Sequence, residues 1–215
     1  MGNHIVLFIF DNKHEVETIL ENEPWSFDKH LTVLQRYDKD TIVEELQFNH
    51  TSFWVQVHDI LVRFMNQKVV AGICSQVGTV IKKYKTKGEG GSFMRVRVRV
   101  DITIPLSQGR MVSLGQGNES WVSFKYERLP NICYWCGYLN HDDRDCETRL
   151  ESEGSLKVED QQFGSWLRAA PTSRTRKNLV TVPGLFKKTK GVSSTPKCLP
   201  IPRKTQAHTT AVQPP

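Results

Sequence analysis

The first part of the chain has an apolar run followed by a helix-like pattern. Ile5–Phe10 is uninterruptedly apolar and rich in β-forming residues, which predicts a strand buried on both faces. Asp11 or Asn12 can cap a helix that runs to about Asn22 and carries its apolar residues on one side. We therefore expect a strand followed by a helix at the start of the chain.

Further apolar stretches continue this alternation. Leu31–Tyr37 and Phe53–His58 predict two more strands. Asn66 can cap a second helix that Gly78 ends, and Thr79–Tyr84 predicts the strand after it. A glycine-rich turn follows at Gly88, Gly90 and Gly91.

The strictest alternation of the chain lies in Phe93–Ile104, where valines are expected to face the core. Trp121–Tyr126 predicts the last strand. The order of elements predicts an α+β fold, with a largely antiparallel sheet and two helices. The face opposite the valines is predicted to carry Arg95, Arg97 and Arg99.

Two interpretations of these arginines are open. A row of guanidinium groups about 6.8 Å apart could follow a nucleic-acid backbone, and Lys82 and Lys83 would extend it. Alternatively, the row is a solvated sheet face that acidic residues of the first 60 positions neutralise.

Positive charge is distributed unevenly. Residues 1–160 hold 19 Lys or Arg and 23 Asp or Glu, whereas residues 161–215 hold ten basic and no acidic residues. Residues 169–215 are rich in Pro, Ser, Thr, Lys and Arg, which predicts a disordered basic tail. We predict an α+β domain over 3–128, a cysteine-rich module over 129–148, and a linker and tail over 149–215, with Gln162–Arg168 as a short docking segment.

The cysteine-rich module has the spacing C-x2-C-x4-H-x4-C. Three thiolates and one imidazole form a complete tetrahedral ligand set for Zn²⁺ and leave no position for a catalytic water. The spacing is that of a zinc knuckle, a module of single-stranded nucleic-acid binders. The predicted zinc ligands are Cys133, Cys136, His141 and Cys146.

Aromatic residues stand between the predicted ligands. Exposed rings beside a metal-bound turn could stack on bases, whereas buried rings would cover the zinc or pack on the preceding domain. The residues concerned are Tyr134, Trp135 and Tyr138. Asp142, Asp143 and Asp145 border the module and would repel phosphate, so we expect base contacts here rather than charge contacts.

Other functional classes have little support in the sequence. We find no catalytic constellation, no signal peptide and no apolar stretch of about 20 residues. The cysteines suit a reducing compartment better than a disulfide framework. We therefore expect an intracellular, nuclear or cytoplasmic protein without enzymatic activity, membrane contact or small-molecule substrate.

Several motifs in order resemble a plant family that joins a domain of unknown function to a zinc knuckle and looks related to the first open reading frame of LINE-type retrotransposons. The motifs are Pro24–Asp28, Phe53–His58, Phe93–Arg99, Phe124–Pro130 and Cys133–Gly137.

The resemblance implies zinc binding, nucleic-acid binding and a half-domain similar to an RNA-recognition motif. Family members usually begin with a further strand, helix and strand, so the first half-domain is expected to be truncated. Ile5 and Leu7 also stand where the stacking aromatics of that motif would be.

We therefore predict a zinc-dependent protein of retroelement origin that binds single-stranded RNA or DNA. One alternative is a module that uses the knuckle to bind a protein partner. Another is a degenerate retroelement fragment.

Overall fold

The computed structural model describes residues 5–38, 40–81, 87–89, 92–113 and 118–170, with side chains for all of these except 87–89. Residues 1–173 belong to one compact unit. Nearly all of the predicted tail lies outside the described residues, and the predicted division at residues 128 and 148 stays a prediction.

The unit is built on an antiparallel sheet. Its strands are β3 (His50–His58), β4 (Gly78–Val80), β5 (Lys87–Glu89), β6 (Phe93–Asp101), β7 (Gly109–Ser113) and β8 (Glu119–Tyr126). Their order is β4-β6-β3-β8-β7, and β5 also pairs with β6. A separate hairpin consists of β1 (Trp25–Phe27) and β2 (His30–Thr32). The predicted α+β class with an antiparallel sheet is confirmed.

The described residues form three α-helices rather than the two predicted, namely α1 (Lys13–Glu21), α2 (Gln67–Cys74) and the short α3 (Glu147–Glu151). The Asn12 side chain accepts a hydrogen bond from His14 N, and the Asn66 side chain accepts one from Val69 N. Both predicted N-caps are therefore confirmed. Short 3-10 turns occur at Val43–Glu45, Val62–Phe64, Asp143–Asp145, Val158–Asp160 and Ser165–Leu167.

The hydrophobic core lies on one face of the sheet, which we call the inner face. Alternate residues of the long strands are buried there, including Phe53, Val98 and Phe124 at no more than 1% exposure. Helix α2 packs on this face through Val70 and Ile73. The alternation predicted for β6 is therefore confirmed for its valines.

The predicted buried strand Ile5–Phe10 is wrong. These residues form no strand, and their side chains are exposed, up to 85% for Ile9. A strand buried on both faces needs hydrogen-bonded neighbours, and no described strand pairs with this segment. The segment instead lines an apolar groove together with α1 and residues 33–37.

The bounds of other strands and helices also differ from the predicted ones. The strand predicted for Leu31–Tyr37 is limited to β2, and neither β1 nor β7 was predicted. Helix α2 ends at Cys74 rather than at Gly78, because Gly78 belongs to β4 and pairs with Val100. A Cβ at Gly78 would lie 2.2 Å from the Arg99 carbonyl oxygen, so this close pairing requires glycine.

Two predicted segments are described only in part. Of the strand predicted for Thr79–Tyr84, residues 82–84 lie outside the described residues, and so do Gly90 and Gly91 of the predicted turn. The predicted turn is wrong for Gly88, which lies in the unpredicted strand β5, opposite Met94. In the part of the chain that the structure describes, no helix is long and apolar enough to cross a membrane.

Candidate metal centre and nucleic-acid interface

The four predicted zinc ligands come together in space. The ligand atoms of Cys133, Cys136, His141 and Cys146 all lie within 4.8 Å of one another. Cys136 Sγ and His141 Nε2 are 3.2 Å apart. Zinc bonds of about 2.0–2.3 Å would place tetrahedral ligand atoms roughly 3.3–3.8 Å from one another, so the cluster fits this ion with little rearrangement.

A tight turn brings the first two cysteines together. Gly137 N donates to the Cys133 carbonyl at 2.8 Å, and Cys133 N donates to the Tyr138 carbonyl at 2.9 Å. Gly137 has a φ of +79°, in the left-handed region that glycine adopts without strain. The two-residue gap and this glycine therefore let both thiols face one point.

A neighbouring amide orients the histidine ligand. His141 Nδ1 lies 2.7 Å from Asn140 Oδ1, an oxygen that can only accept a hydrogen bond. Nδ1 must therefore carry the proton, and the lone pair of Nε2 is directed towards Cys136. Partners of this kind fix the tautomer and ring orientation of metal-binding histidines. Sequence analysis missed Asn140, although an amide directly before a predicted histidine ligand is a usable signal.

The three thiols differ in their environments. Burial raises the pKa of the Cys133 and Cys136 thiols. Burial also acts to raise the pKa of Cys146, but hydrogen bonds from the Arg149 amide and the His141 side chain outweigh it and lower this pKa to about 7. Cys146 precedes α3, and free amides at a helix start stabilise a thiolate. Cys146 is therefore the thiol most readily deprotonated for metal binding.

Two of the three bordering aspartates have structural partners. Asp143 Oδ1 accepts a hydrogen bond from Tyr134 N at 2.6 Å, and Asp142 Oδ1 accepts one from Asn131 Nδ2 at 3.1 Å. These carboxylates hold the two arms of the module together. These two aspartates therefore have a structural role within the loop, as hydrogen-bond acceptors.

The three aromatic residues of the module have different exposures. Trp135 is only 9% exposed and packs with Cys133 and Cys146. The expectation of an exposed ring is therefore wrong for Trp135, which covers the metal site. Tyr134 is partly buried against the main core, and Tyr138 is half-buried, with its ring 6.5 Å from that of His141. Of the three, Tyr138 is best placed to offer a ring surface beside the metal site.

The arginine row is not a uniform solvated surface. Arg97 is 2% exposed, and its guanidinium donates to the carbonyl oxygens of Glu23 and Glu21. Arg95 forms an ion pair with Glu127 at 2.5 Å and lies 4.3 Å from the centre of the Trp54 ring. Only Arg99 is exposed. The prediction that all three arginines are available to phosphate is therefore wrong for Arg97. Its guanidinium is buried and holds the end of α1 and the residues after it against the sheet.

Contacts between nucleic acid and the remaining predicted residues stay predictions. Lys82 and Lys83 lie outside the described residues. Whether these two lysines lie near the metal site therefore stays outside the described structure.

The predicted docking segment Gln162–Arg168 is confirmed. Leu167 is fully buried, and Phe163 N donates to the Tyr134 carbonyl at 2.9 Å. The contact continues beyond the segment, where Ala169 N donates to the Tyr126 carbonyl at 3.0 Å. The segment therefore joins the metal-binding module to the end of β8.

Of three comparisons with known proteins, one concerns the metal site. Residues 100–148 match the family described as "Zinc knuckle". The chain is also 24% identical, over 134 residues, to an uncharacterized protein of Arabidopsis thaliana. That alignment covers 61% of this chain and 42% of the relative, so the chain matches less than half of the relative's length. No solved structure matches the chain.

The family match concerns the sequence of residues 100–148, and the ligand cluster concerns the geometry of four residues within it. All four ligand residues lie within the matched segment, and three thiols and one imidazole form a ligand set that suits Zn²⁺. The segment at residues 100–148 contains a CCHC-type zinc knuckle.

Proposed function

We propose that this protein binds single-stranded nucleic acid through its zinc knuckle and catalyses no reaction. The observation that carries the proposal is the cluster of four ligand atoms within 4.8 Å of one another. Three thiolates and an imidazole complete a tetrahedral shell, so the ion would have no open position at which to activate water. Such a metal holds a binding surface in shape.

The surface around the metal supports contact with bases. Tyr138 is half-buried, and its ring lies 6.5 Å from that of His141, next to the metal-bound turn. Stacking of one base on such a ring contributes about 1–3 kcal/mol and depends little on base identity. Nine Lys or Arg in residues 171–215 would add contacts to phosphate that do not depend on sequence.

The origin of the protein is part of the proposal. The ordered motifs from Pro24–Asp28 to Cys133–Gly137 resemble the plant family related to LINE-type retrotransposons. The similarity to an Arabidopsis protein is compatible with that origin. On this basis we infer a retroelement-derived protein that acts in the nucleus or cytoplasm, with a sheet domain related to an RNA-recognition motif.

The proposal is tested by fluorescence anisotropy of the zinc-loaded full chain with labelled single-stranded RNA, single-stranded DNA and duplex. We expect single strands to bind more tightly than duplex. Cys136→Ser should remove the stoichiometric zinc and weaken single-strand binding, whereas Cys198→Ser, outside the predicted ligand set, should retain one zinc per chain and normal affinity. Equal affinity of wild type and Cys136→Ser for single strands would contradict the proposal.

A second candidate function is binding of a protein partner. Residues 142–160 hold eight Asp or Glu against three Lys or Arg. Within this acidic stretch Leu150 and Val158 are 63% and 74% exposed. An acidic surface with exposed apolar side chains suits a basic protein better than a polyanion. Protein binding becomes the better-supported function if the zinc-loaded wild type binds neither RNA nor DNA.

A further inference from the structure

We call the face of the sheet opposite the core the outer face. Among the described residues, the end of α1 covers only one part of it. Arg97 points to this face and donates to the Glu23 and Glu21 carbonyls, so the end of α1 lies over the sheet there. Glu23 also accepts a hydrogen bond from Ser52 N at 3.1 Å. The opposite end of the outer face begins where β3 ends at His58.

Trp121 is the largest exposed side chain at this open end. It lies on the outer face of β8, since its neighbour Val122 faces the core, and it is 50% exposed. A Cβ at Gly109 would be 2.6 Å from the benzene ring of Trp121. The indole therefore lies across the glycine backbone of β7, and any side chain at Gly109 would displace it. Glycine at this position leaves a broad aromatic surface beside the sheet.

A second aromatic surface stands on the neighbouring strands. The rings of His58 and Phe93 are stacked, with centroids 4.9 Å apart and planes 28° apart. Both side chains are half-buried. His58 pairs with Ser123, which is two residues from Trp121 on β8. Such diagonal positions on adjacent strands are about 7–8 Å apart, so the rings share one region of the sheet.

Charged groups of both signs lie near these rings, since Asp59 accepts a hydrogen bond from Ser123 at this end of the sheet. Lys125 is half-buried on the same face of β8, and its charge lowers the pKa of His58 after the larger effect of burial. A neutral imidazole offers a flat ring without the hydration of a cation. Lys87 of β5 lies at the register position opposite Arg95, at this edge of the sheet.

We propose that the open end of the outer face is a second binding surface for single-stranded nucleic acid. Trp121 and the His58–Phe93 pair stack on unpaired bases, and Lys125 contacts a phosphate. The proposal rests on the function proposed above and adds a surface that does not depend on the zinc knuckle. Single strands fit this surface because their bases are free to lie on the rings, whereas those of a duplex are stacked within it.

The test uses the zinc-loaded full chain and labelled oligo-uridine, oligo-thymidine and duplex of about 20 units, longer than the ~4–16 nucleotides covered by one binding domain. Trp121→Ala should weaken single-strand binding about fivefold or more, with little dependence on salt, since one stack contributes this much. Trp121→Phe, which keeps a ring, should restore most of the affinity. Trp166→Ala is the matched control, because Trp166 is 54% exposed but lies outside the sheet.

Each outcome separates this proposal from the preceding one. If wild type binds single strands but Trp121→Ala stays within twofold of it, the second surface is wrong, whatever Tyr138→Ala does at the knuckle. The outer face would then suit a protein partner. If wild type binds no single strand, the proposed function itself fails. Thermal unfolding and zinc content check each variant. If Trp121→Ala is unfolded, the salt dependence of single-strand binding is measured for Lys125→Gln instead. A slope equal to that of wild type overturns the proposal, and a shallower slope supports it.

Discussion

The ring of Phe163 occupies the space that a side chain at Gly137 would need. A Cβ at Gly137 would lie 2.4 Å from two carbon atoms of this ring. Phe163 is 8% exposed and belongs to the main hydrophobic core, together with Leu139 of the knuckle. The contact links the zinc-binding turn to a segment more than twenty residues later in the chain. The knuckle is therefore not an isolated loop but shares its packing with the sheet.

Gly137→Ala should destabilise the protein through two effects. The left-handed φ of +79° costs a non-glycine residue about 1–2 kcal/mol, and displacement of Phe163 adds about 1–3 kcal/mol. Chemical denaturation of the full chain with zinc bound measures the loss. Gly154→Ala is the matched control, because Gly154 has a φ of +85° but nothing within 4 Å of a Cβ. Equal losses in both variants would show that the Phe163 contact contributes nothing.

Asn140→Ala should weaken zinc binding about 10–100-fold while leaving one zinc per chain at saturation. The substitution removes the acceptor that holds His141 in its metal-binding tautomer, and such partners have effects of this size. Competition with a colorimetric chelator measures the affinity. The control is Asn22→Ala, because the Asn22 side chain donates to the Thr18 carbonyl and lies outside the zinc-knuckle segment. Unchanged affinity in Asn140→Ala would mean that the cluster orients His141 without this amide.

Removing residues 171–215 should weaken nucleic-acid binding and make it less sensitive to salt. The deletion removes nine Lys or Arg and no Asp or Glu. Fewer phosphate contacts release fewer counterions, so the slope of log K against log salt becomes shallower, by about 0.7 per lost contact with a single strand. Anisotropy titrations over a range of salt concentrations measure the slope. A slope equal to that of the full chain would show that this segment does not touch phosphate.

Stability should fall with acidification partly through His58. Burial, followed by the nearby charge of Lys125, lowers the pKa of His58 from its ordinary value of 6.5, although Asp59 opposes the shift. The unfolded chain therefore binds the proton more readily than the native protein. The stability that neutral His58 provides is present above pH 6.5 and is lost as the pH falls through the native pKa.

Urea unfolding at about pH 7.5 and about pH 5.5, on either side of the ordinary histidine range, measures this effect. In His58→Gln the difference in unfolding free energy between the two pH values should be smaller than in wild type. The comparison between the two proteins cancels the acid sensitivity of the zinc site, which both share. An identical difference in the two proteins would show that His58 does not contribute to acid sensitivity.

Local patterns were sufficient for much of this protein. The spacing of Cys133, Cys136, His141 and Cys146 identified the metal site, because ligands so close in sequence can meet within a short loop. Asn12 and Asn66 marked the starts of α1 and α2, since an N-cap acts only on amides two or three residues away. The valines of β6 marked the core through a period of two.

The structure alone decided features that depend on residues distant in the chain. Ile5–Phe10 has the composition of a buried strand, but strand formation requires a partner, and composition does not supply one. Trp135 and Arg97 have residue types typical of nucleic-acid contacts, but both are buried. Trp135 packs with the zinc ligands, and Arg97 forms hydrogen bonds with the end of α1. Trp121 lies open on the sheet because Gly109 of a neighbouring strand makes room for it. Sequence determines what a side chain can do, whereas the contacts that fold around it decide whether it remains available.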